Sequence, residues 1–118
     1  MYNLDMKEGW FTMKKAMLSQ PMNGKSDEEI VATREKAIKF LEEKGFEIIN
    51  TLFTDAWYHK EAMETRGVIQ IPLCFLAQAL DTMSRCHAIY FCKDWEKFRG
   101  CKIEHDAAIA YGLEVLYE

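Results

Sequence analysis

The sequence lacks an apolar run long enough to cross a membrane, and its start does not have the pattern of a signal peptide. It also lacks a cluster of lysine and arginine residues. The chain as a whole is slightly acidic, with 15 basic and 19 acidic residues and a formal net charge of −4. Binding to a nucleic-acid backbone depends on clustered basic residues that neutralise phosphates. We therefore expect neither a nucleic acid nor a membrane as a partner.

Cysteine pairs at metal-binding spacing are absent as well. The four cysteines include no Cys-x-x-Cys pair, and together with the three histidines they lack the spacing of a zinc site. Apolar residues make up 49% of the chain, so a core can form without disulfides. We expect free thiols in a reducing cytoplasm, and neither a metal nor another cofactor.

A chain of 118 residues is long enough for one hydrophobic core and too short for two. The first twelve residues are not amphipathic and carry no cleavage site, and a second plausible start follows at Met13. We therefore predict an N-terminal extension over residues 1–12 and a single domain over residues 13–118.

Strand and helix patterns alternate along this domain. Short apolar runs typical of buried strands are separated by segments that carry apolar residues at helical spacing. The clearest helix start is Ser26, with Glu29 at capping-box spacing, and Gly45 ends the same helix. The predicted strands are 15–19, 46–50, 87–92 and 113–117, and the later helices are 72–85 and 101–112.

Such alternation is typical of a parallel sheet with helices on both faces. We predict an α/β fold, a three-layer α/β/α sandwich with a flavodoxin- or Rossmann-like parallel sheet in the strand order 2-1-3-4. In that order a ligand crevice lies at the carboxyl ends of the first and third strands. The polar loop 19–24, the loop 93–100 and the start of the last helix should meet there.

Two acidic residues are candidates for chemistry at this crevice. Glu104 falls in the first turn of the last predicted helix, where the helix dipole would keep a carboxylate ionised and suited to act as a nucleophile. Asp81, near the end of the preceding helix, could act as a general acid or orient a base. Both positions are also compatible with ordinary helix residues, and from position alone that interpretation is favoured for Glu104.

The loop before the last helix offers candidate binding residues. Arg99 and Gly100 could hold a phosphate or a carboxylate at the helix start. Trp95, with other loop aromatics, could stack on a flat base, although loop aromatics more often belong partly to the core. We expect His87 and His105 to be structural.

Three stretches, taken in order, resemble motifs of the nucleoside 2-deoxyribosyltransferase superfamily, and more narrowly of a small uncharacterised domain family within it. They are MLSQPMNG (17–24), LDTMSRCHAIYFCKDW (80–95) and RGCKIEHDAAIAYGLEVLY (99–117). The third stretch, with its Gly-x-x-x-Glu helix, is the most specific. The resemblance extends over residues 14–117.

The resemblance implies roles for individual residues. It implies that Glu104 is the nucleophile that forms an ester with C1′ of the sugar, and that Asp81 assists the departure of the base. Gly100 would let the helix start approach the ligand. The residues that would line the sugar and base site are Ser19, Gln20, Pro21 and Met22. Because members of the superfamily complete their sites across a subunit interface, it also implies a homo-oligomer.

The function implied is cleavage of the N-glycosidic bond of a nucleoside or nucleotide, with water or a second base as the acceptor. Gln20 stands where the motif usually has glycine, and Met17 stands where the transferases have a tyrosine. These departures are compatible with a changed ligand, and they leave open a non-catalytic nucleotide-binding or sequestering module. A third alternative is a protein-interaction domain that kept only the fold.

Overall fold

A computed structural model describes residues 13–49 and 56–118, in which strands and helices alternate. The strands are β1 (Lys14–Ser19), β2 (Phe46–Ile48), β3 (Ala88–Phe91) and β4 (Glu114–Tyr117). The helices are α1 (Asp27–Glu43), α2 (Lys60–Thr65), α3 (Ile71–Met83) and α4 (Arg99–Ala110). Single 3₁₀ turns occupy Ala56–Tyr58 and Trp95–Lys97.

The four strands form one parallel sheet in the order β2-β1-β3-β4. Ala16 lies opposite Ile48 on one side and Ala88 on the other, so β1 and β3 occupy the centre of the sheet. Each crossover between parallel strands carries at least one helix, as parallel connections require. The predicted α/β fold and its strand order 2-1-3-4 are confirmed.

Side chains that alternate along the central strands build two cores, one on each face of the sheet. On one face Leu18 packs with Leu41 of α1 in a buried cluster. On the other face Met17 packs with Met83 of α3 and Ala108 of α4. The helices therefore form the outer layers of a sandwich, and within the described residues none of them is long and apolar enough to cross a membrane.

The predicted limits of α1 are confirmed. The Ser26 hydroxyl accepts a hydrogen bond from the Glu29 amide at 3.2 Å, and the Glu29 carboxylate accepts one from the Ser26 amide at 3.1 Å. At the other end Gly45 has φ of +90°, the left-handed conformation that glycine adopts without strain. The capping box and the glycine therefore set the two ends of α1 between β1 and β2.

Most element boundaries differ by one or two residues from the sequence prediction. β1 begins at Lys14, β3 spans Ala88–Phe91, β4 begins at Glu114, α3 spans Ile71–Met83 and α4 ends at Ala110. β2 ends at Ile48, and the predicted end at residue 50 lies outside the described residues, as does the proposed extension 1–12. α4 begins at Arg99, two residues earlier than predicted, because Phe98 already takes the extended conformation of an N-cap. Arg99 and Gly100 therefore belong to the first turn of α4 and not to the loop.

Candidate functional site

A cavity of about 110 Å³ lies at the carboxyl end of β1, between α3 and α4. This volume is well above the roughly 10–15 Å³ that one water needs, so there is room for a small organic group. Its position agrees with the ligand crevice of open parallel sheets. The residues that line it are Met17, Leu18, Ser19, Gln20, Met22, Gln78, Ala79, Thr82, Cys101 and Glu104.

The loop after β1 supplies one wall because it turns sharply. Ser19 is the last residue of the strand, and the residue is 2% exposed. The Lys25 amide donates to the Met22 carbonyl at 3.1 Å, and Gly24 has φ of +81°, which closes the turn. The chain then enters α1 at Ser26, so Gln20 and Met22 stay close to the sheet edge.

Glu104 is the only acidic residue of the lining. It lies one helical turn after Cys101 on the same face of α4 and is partly buried. Because α4 starts at Arg99, Glu104 is in the second turn, and the prediction of a first-turn position is wrong. Burial raises the pKa of the Glu104 carboxyl above its ordinary value, and the nearby Ser19 hydroxyl partly offsets this rise.

Three buried oxygens beside Glu104 have no hydrogen-bond partner in the described protein. They are the Ser19 hydroxyl oxygen and the amide oxygens of Gln20 and Gln78. Ser19 faces Glu104 and Cys101 closely enough to lower the pKa of each, but without a hydrogen bond of normal geometry. Buried polar groups are nearly always paired, so unpaired oxygens around one cavity indicate a place where a ligand or solvent binds.

The Gln20 side chain is held in one orientation. Its amide nitrogen donates to the carbonyl of Ile30 in α1 at 2.7 Å, which fixes the amide oxygen on the opposite side. A bulky residue therefore stands where the resembling motif has glycine, but it brings a hydrogen-bond acceptor to the cavity. The structure places Ser19, Gln20 and Met22 with Glu104 in the lining of this cavity.

Gln78 and Thr82 are lining residues that the sequence interpretation missed. Both lie on α3, four residues apart and thus on one face, and the Thr82 hydroxyl donates to the Gln78 carbonyl at 3.0 Å. The signal in the sequence was a glutamine and a threonine within a helical segment that is apolar apart from these two residues and Asp81. Such residues are expected at the helix surface unless a site uses them.

Asp81 does not line the cavity. Its side chain is 65% exposed and pairs with Arg85, with 2.5 Å between the carboxylate and the guanidinium. The next residue, Thr82, points to the cavity instead, since neighbouring helical residues face about 100° apart. The role that the resemblance implies for Asp81 stays a prediction, and this geometry does not bring it to Glu104.

Arg99 and Gly100 line a second cavity of about 380 Å³. It runs along the same two helices as the first one, beside the starts of α3 and α4, and its wall is largely apolar through Leu73, Leu76 and Ile103. Gly100 has no atom within 4 Å of where a Cβ would stand, so its backbone is open. Pro21 is buried and lines neither cavity.

Trp95 belongs to an aromatic cluster at the carboxyl ends of β3 and β4. It stacks on His105, with ring centroids 4.2 Å apart and 21° between the planes, and it contacts Phe91. The His105 ring nitrogen lies 2.6 Å from the Tyr117 hydroxyl. Trp95 thus packs within the protein and does not line the Glu104 cavity, and its predicted contact with a base stays untested.

The cysteines and His87 contribute to the packing and hydrogen bonding of the fold. All four cysteines are free thiols, as predicted. Burial raises the pKa of Cys92 to about 12 and that of Cys101 above its ordinary value, so both thiols stay protonated at neutral pH. The His87 ring accepts a hydrogen bond from the Lys15 amide at 2.9 Å and extends the pairing of β1 with β3.

In open parallel α/β sheets, ligands bind outside the carboxyl ends of the strands, and the Glu104 cavity lies at that end of β1. The chain belongs to the family described as a domain of unknown function, DUF4406, whose model matches residues 14–117. No curated protein and no solved structure matches the chain. The chemistry of the cavity therefore has to be inferred from its own residues.

Proposed function

We propose that this domain cleaves the N-glycosidic bond of a nucleoside or nucleotide, with Glu104 as the nucleophile, as a member of the nucleoside 2-deoxyribosyltransferase superfamily. The observation that carries the proposal is the partly buried Glu104 carboxyl in a cavity with the unpaired Ser19 hydroxyl, next to the loop 19–24. This is the pairing of loop and glutamate that the three sequence motifs imply.

The chemistry follows from the charge that develops on the sugar. As the bond between C1′ and the base nitrogen breaks, C1′ becomes cationic, and a fixed carboxylate stabilises it. The Glu104 oxygen forms an ester bond to C1′, and the base leaves with the bonding electrons and takes a proton from solvent. Water or a second base then attacks C1′ and releases Glu104 as a carboxylate.

Burial of Glu104 has two opposite effects on this reaction. It raises the pKa of the carboxyl, which reduces the ionised fraction that can attack. It also removes water from the carboxylate that is ionised, which strengthens its attraction to a cationic C1′. Activity should therefore rise with pH through the raised pKa of Glu104.

A second candidate is a module that binds a nucleotide and does not cleave it. The observation that favours it is the position of Asp81, which is exposed and paired with Arg85 outside the cavity. No other acid among the lining residues could supply a proton to the departing base, since Glu104 is the only one. A base that leaves easily would still react, and a poor leaving group would only bind.

Release of a free base, measured by chromatography, tests the first candidate. The protein is incubated with ribonucleosides, deoxyribonucleosides and their monophosphates, with and without a second base. Glu104→Gln should abolish release, because the amide cannot form the ester. Asp106→Asn, which removes an exposed carboxylate from the same helix, is the matched control and should retain full release.

The outcomes separate the candidates. Release by the wild type and by Asp106→Asn, but not by Glu104→Gln, supports the enzyme, and exchange with the second base identifies a transferase. Binding of nucleotides without any release supports the module. Release that survives in Glu104→Gln would refute the assigned nucleophile.

We also propose that the domain forms a homo-oligomer and resides in the cytoplasm. Large apolar side chains stay exposed along α3, α4 and their flanks, among them Ile69 at 87%, Leu73 at 60% and Tyr111 at 86%. Exposed apolar surface of this kind is typical of protein interfaces. The four free thiols support a reducing compartment. Analytical ultracentrifugation over a series of concentrations would test the first proposal, and a protein that stays monomeric at the highest concentration would refute it.

A further inference from the structure

The residues that line the Glu104 cavity include no cation, and two of them present buried hydrogen-bond acceptors that have no donor. The amide oxygens of Gln20 and Gln78 lack partners, and the Glu104 carboxyl is the only ionisable oxygen group beside them. The lining contains neither lysine, arginine nor histidine. Arg99 lies in the second cavity, on the wall with Ile103.

The two unpaired amide oxygens come from different parts of the fold. Gln20 comes from the loop after β1, and its orientation is fixed by the bond from its amide nitrogen to the Ile30 carbonyl. Gln78 comes from the middle of α3. A buried carbonyl oxygen without a donor is unfavourable, so a ligand that brings donors to both would gain affinity.

We propose that the amide oxygens of Gln20 and Gln78 bind hydroxyl groups of the ligand's sugar, and that the cavity accepts a free hydroxyl at this place and rejects a phosphate. The inference rests on the proposed function for the identity of the ligand as a nucleoside. An anion that replaced the hydroxyl would meet two oxygens and Glu104 without a cation, and a buried charge without a partner is strongly disfavoured. Gln78 is thereby assigned as a ligand-binding and specificity-determining residue.

Binding measurements on hydroxyl-deleted ligands test the proposal. Glu104→Gln serves as the background for the nucleosides, so that no turnover disturbs the titration. The monophosphates are also measured with Glu104 intact, because its carboxyl contributes to the expected rejection of a phosphate. Calorimetry compares adenosine, 2′-deoxyadenosine, 2′,3′-dideoxyadenosine and the 2′- and 3′-monophosphates of adenosine, with the cytidine series in parallel. Each ligand is measured with Gln78 intact, with Gln78→Met and with Gln20→Met.

In the expected result, deletion of the recognised hydroxyl weakens binding about 3- to 10-fold when Gln78 and Gln20 are present. Replacement of the glutamine that contacts it weakens the hydroxylated ligand by a similar factor and leaves the hydroxyl-deleted ligand unchanged. The 2′- or 3′-monophosphate binds at least about tenfold more weakly than the nucleoside. Ala77→Met, a substitution at an exposed position of α3 that lines neither cavity, serves as the control and changes none of these affinities.

Failure of this inference differs from failure of the proposed function. Equal affinities for hydroxylated and dideoxy ligands, tighter binding of the 2′- or 3′-monophosphates, or no binding of any nucleoside would overturn it. Hydroxyl-dependent binding without base release by the wild type would refute only the catalytic proposal. Base release that is indifferent to Gln78→Met and to hydroxyl deletion would refute only the inference.

Discussion

Replacement of Gln78 by methionine should make the ligand-free protein more stable. The amide oxygen of Gln78 is buried without a partner, and an unsatisfied buried polar group costs about 1–3 kcal/mol. Methionine has a similar length and helix propensity, so the backbone of α3 and the packing beside Ala79 should be kept. We expect the free energy of unfolding to rise by about 1–2 kcal/mol, which for a domain of this size raises Tm by about 4–8 °C.

Urea unfolding followed by circular dichroism gives the free energy, and differential scanning calorimetry gives Tm. Gln70→Met is the matched control, because Gln70 is exposed, makes no side-chain capping bond, and should change stability by less than about 0.5 kcal/mol. A Gln78→Met protein that is less stable than the wild type, or no more stable than Gln70→Met, would refute the reasoning that the oxygen is an unpaired cost in the free protein.

Three further substitutions test other parts of the structure. Glu104→Gln should raise the urea midpoint above that of the wild type at pH 7, and this difference should disappear near pH 4. The reason is that the raised pKa of Glu104 makes the folded wild type bind the proton more tightly, so the wild type loses stability as pH rises. An equal difference at both pH values would contradict this. Ser26→Ala should lower the free energy of unfolding by about 1 kcal/mol through loss of the capping bond to Glu29, with Asp27→Ala as a neighbouring control in the same titration. Leu41→Ala, at a fully buried position in α1, should cost about 2–5 kcal/mol in equilibrium unfolding, and a loss below 1 kcal/mol would show that the α1 face is loosely packed.

The fold could be predicted because its determinants are local. Ser26 with Glu29, and Gly45 with its positive φ, mark the ends of α1 through contacts between residues close in sequence. The alternation of strands and helices then indicates a parallel sheet, and the sheet has the predicted strand order. The start of α4 was missed by two residues because Phe98 carries no side-chain cap that the sequence would reveal.

The site could be predicted only in part, because it depends on which face of a helix turns inward. Glu104 and Ser19 come together through the sheet topology, which the pattern of strands already contains. Asp81 and Thr82 are neighbours in sequence, yet one is exposed and paired with Arg85 while the other lines the cavity. That difference is a rotation of about 100° around α3, which is set by tertiary packing and not by residue type.

The unpaired buried oxygens are concentrated at the Glu104 cavity. Within residues 13–49 and 56–118, each buried side-chain oxygen found without a partner belongs to Ser19, Gln20 or Gln78, and all three line the cavity of Glu104. These unpaired oxygens and the buried Glu104 destabilise the fold at one end of the sheet. Leu41 and Ala37, in contrast, pack against β1 through apolar contacts on the other face of the sheet. A domain that only had to fold would gain stability from methionine or leucine at Gln78. The proposed ligand would bring donors to these acceptors, and the hydroxyl-deletion experiment measures that pairing directly.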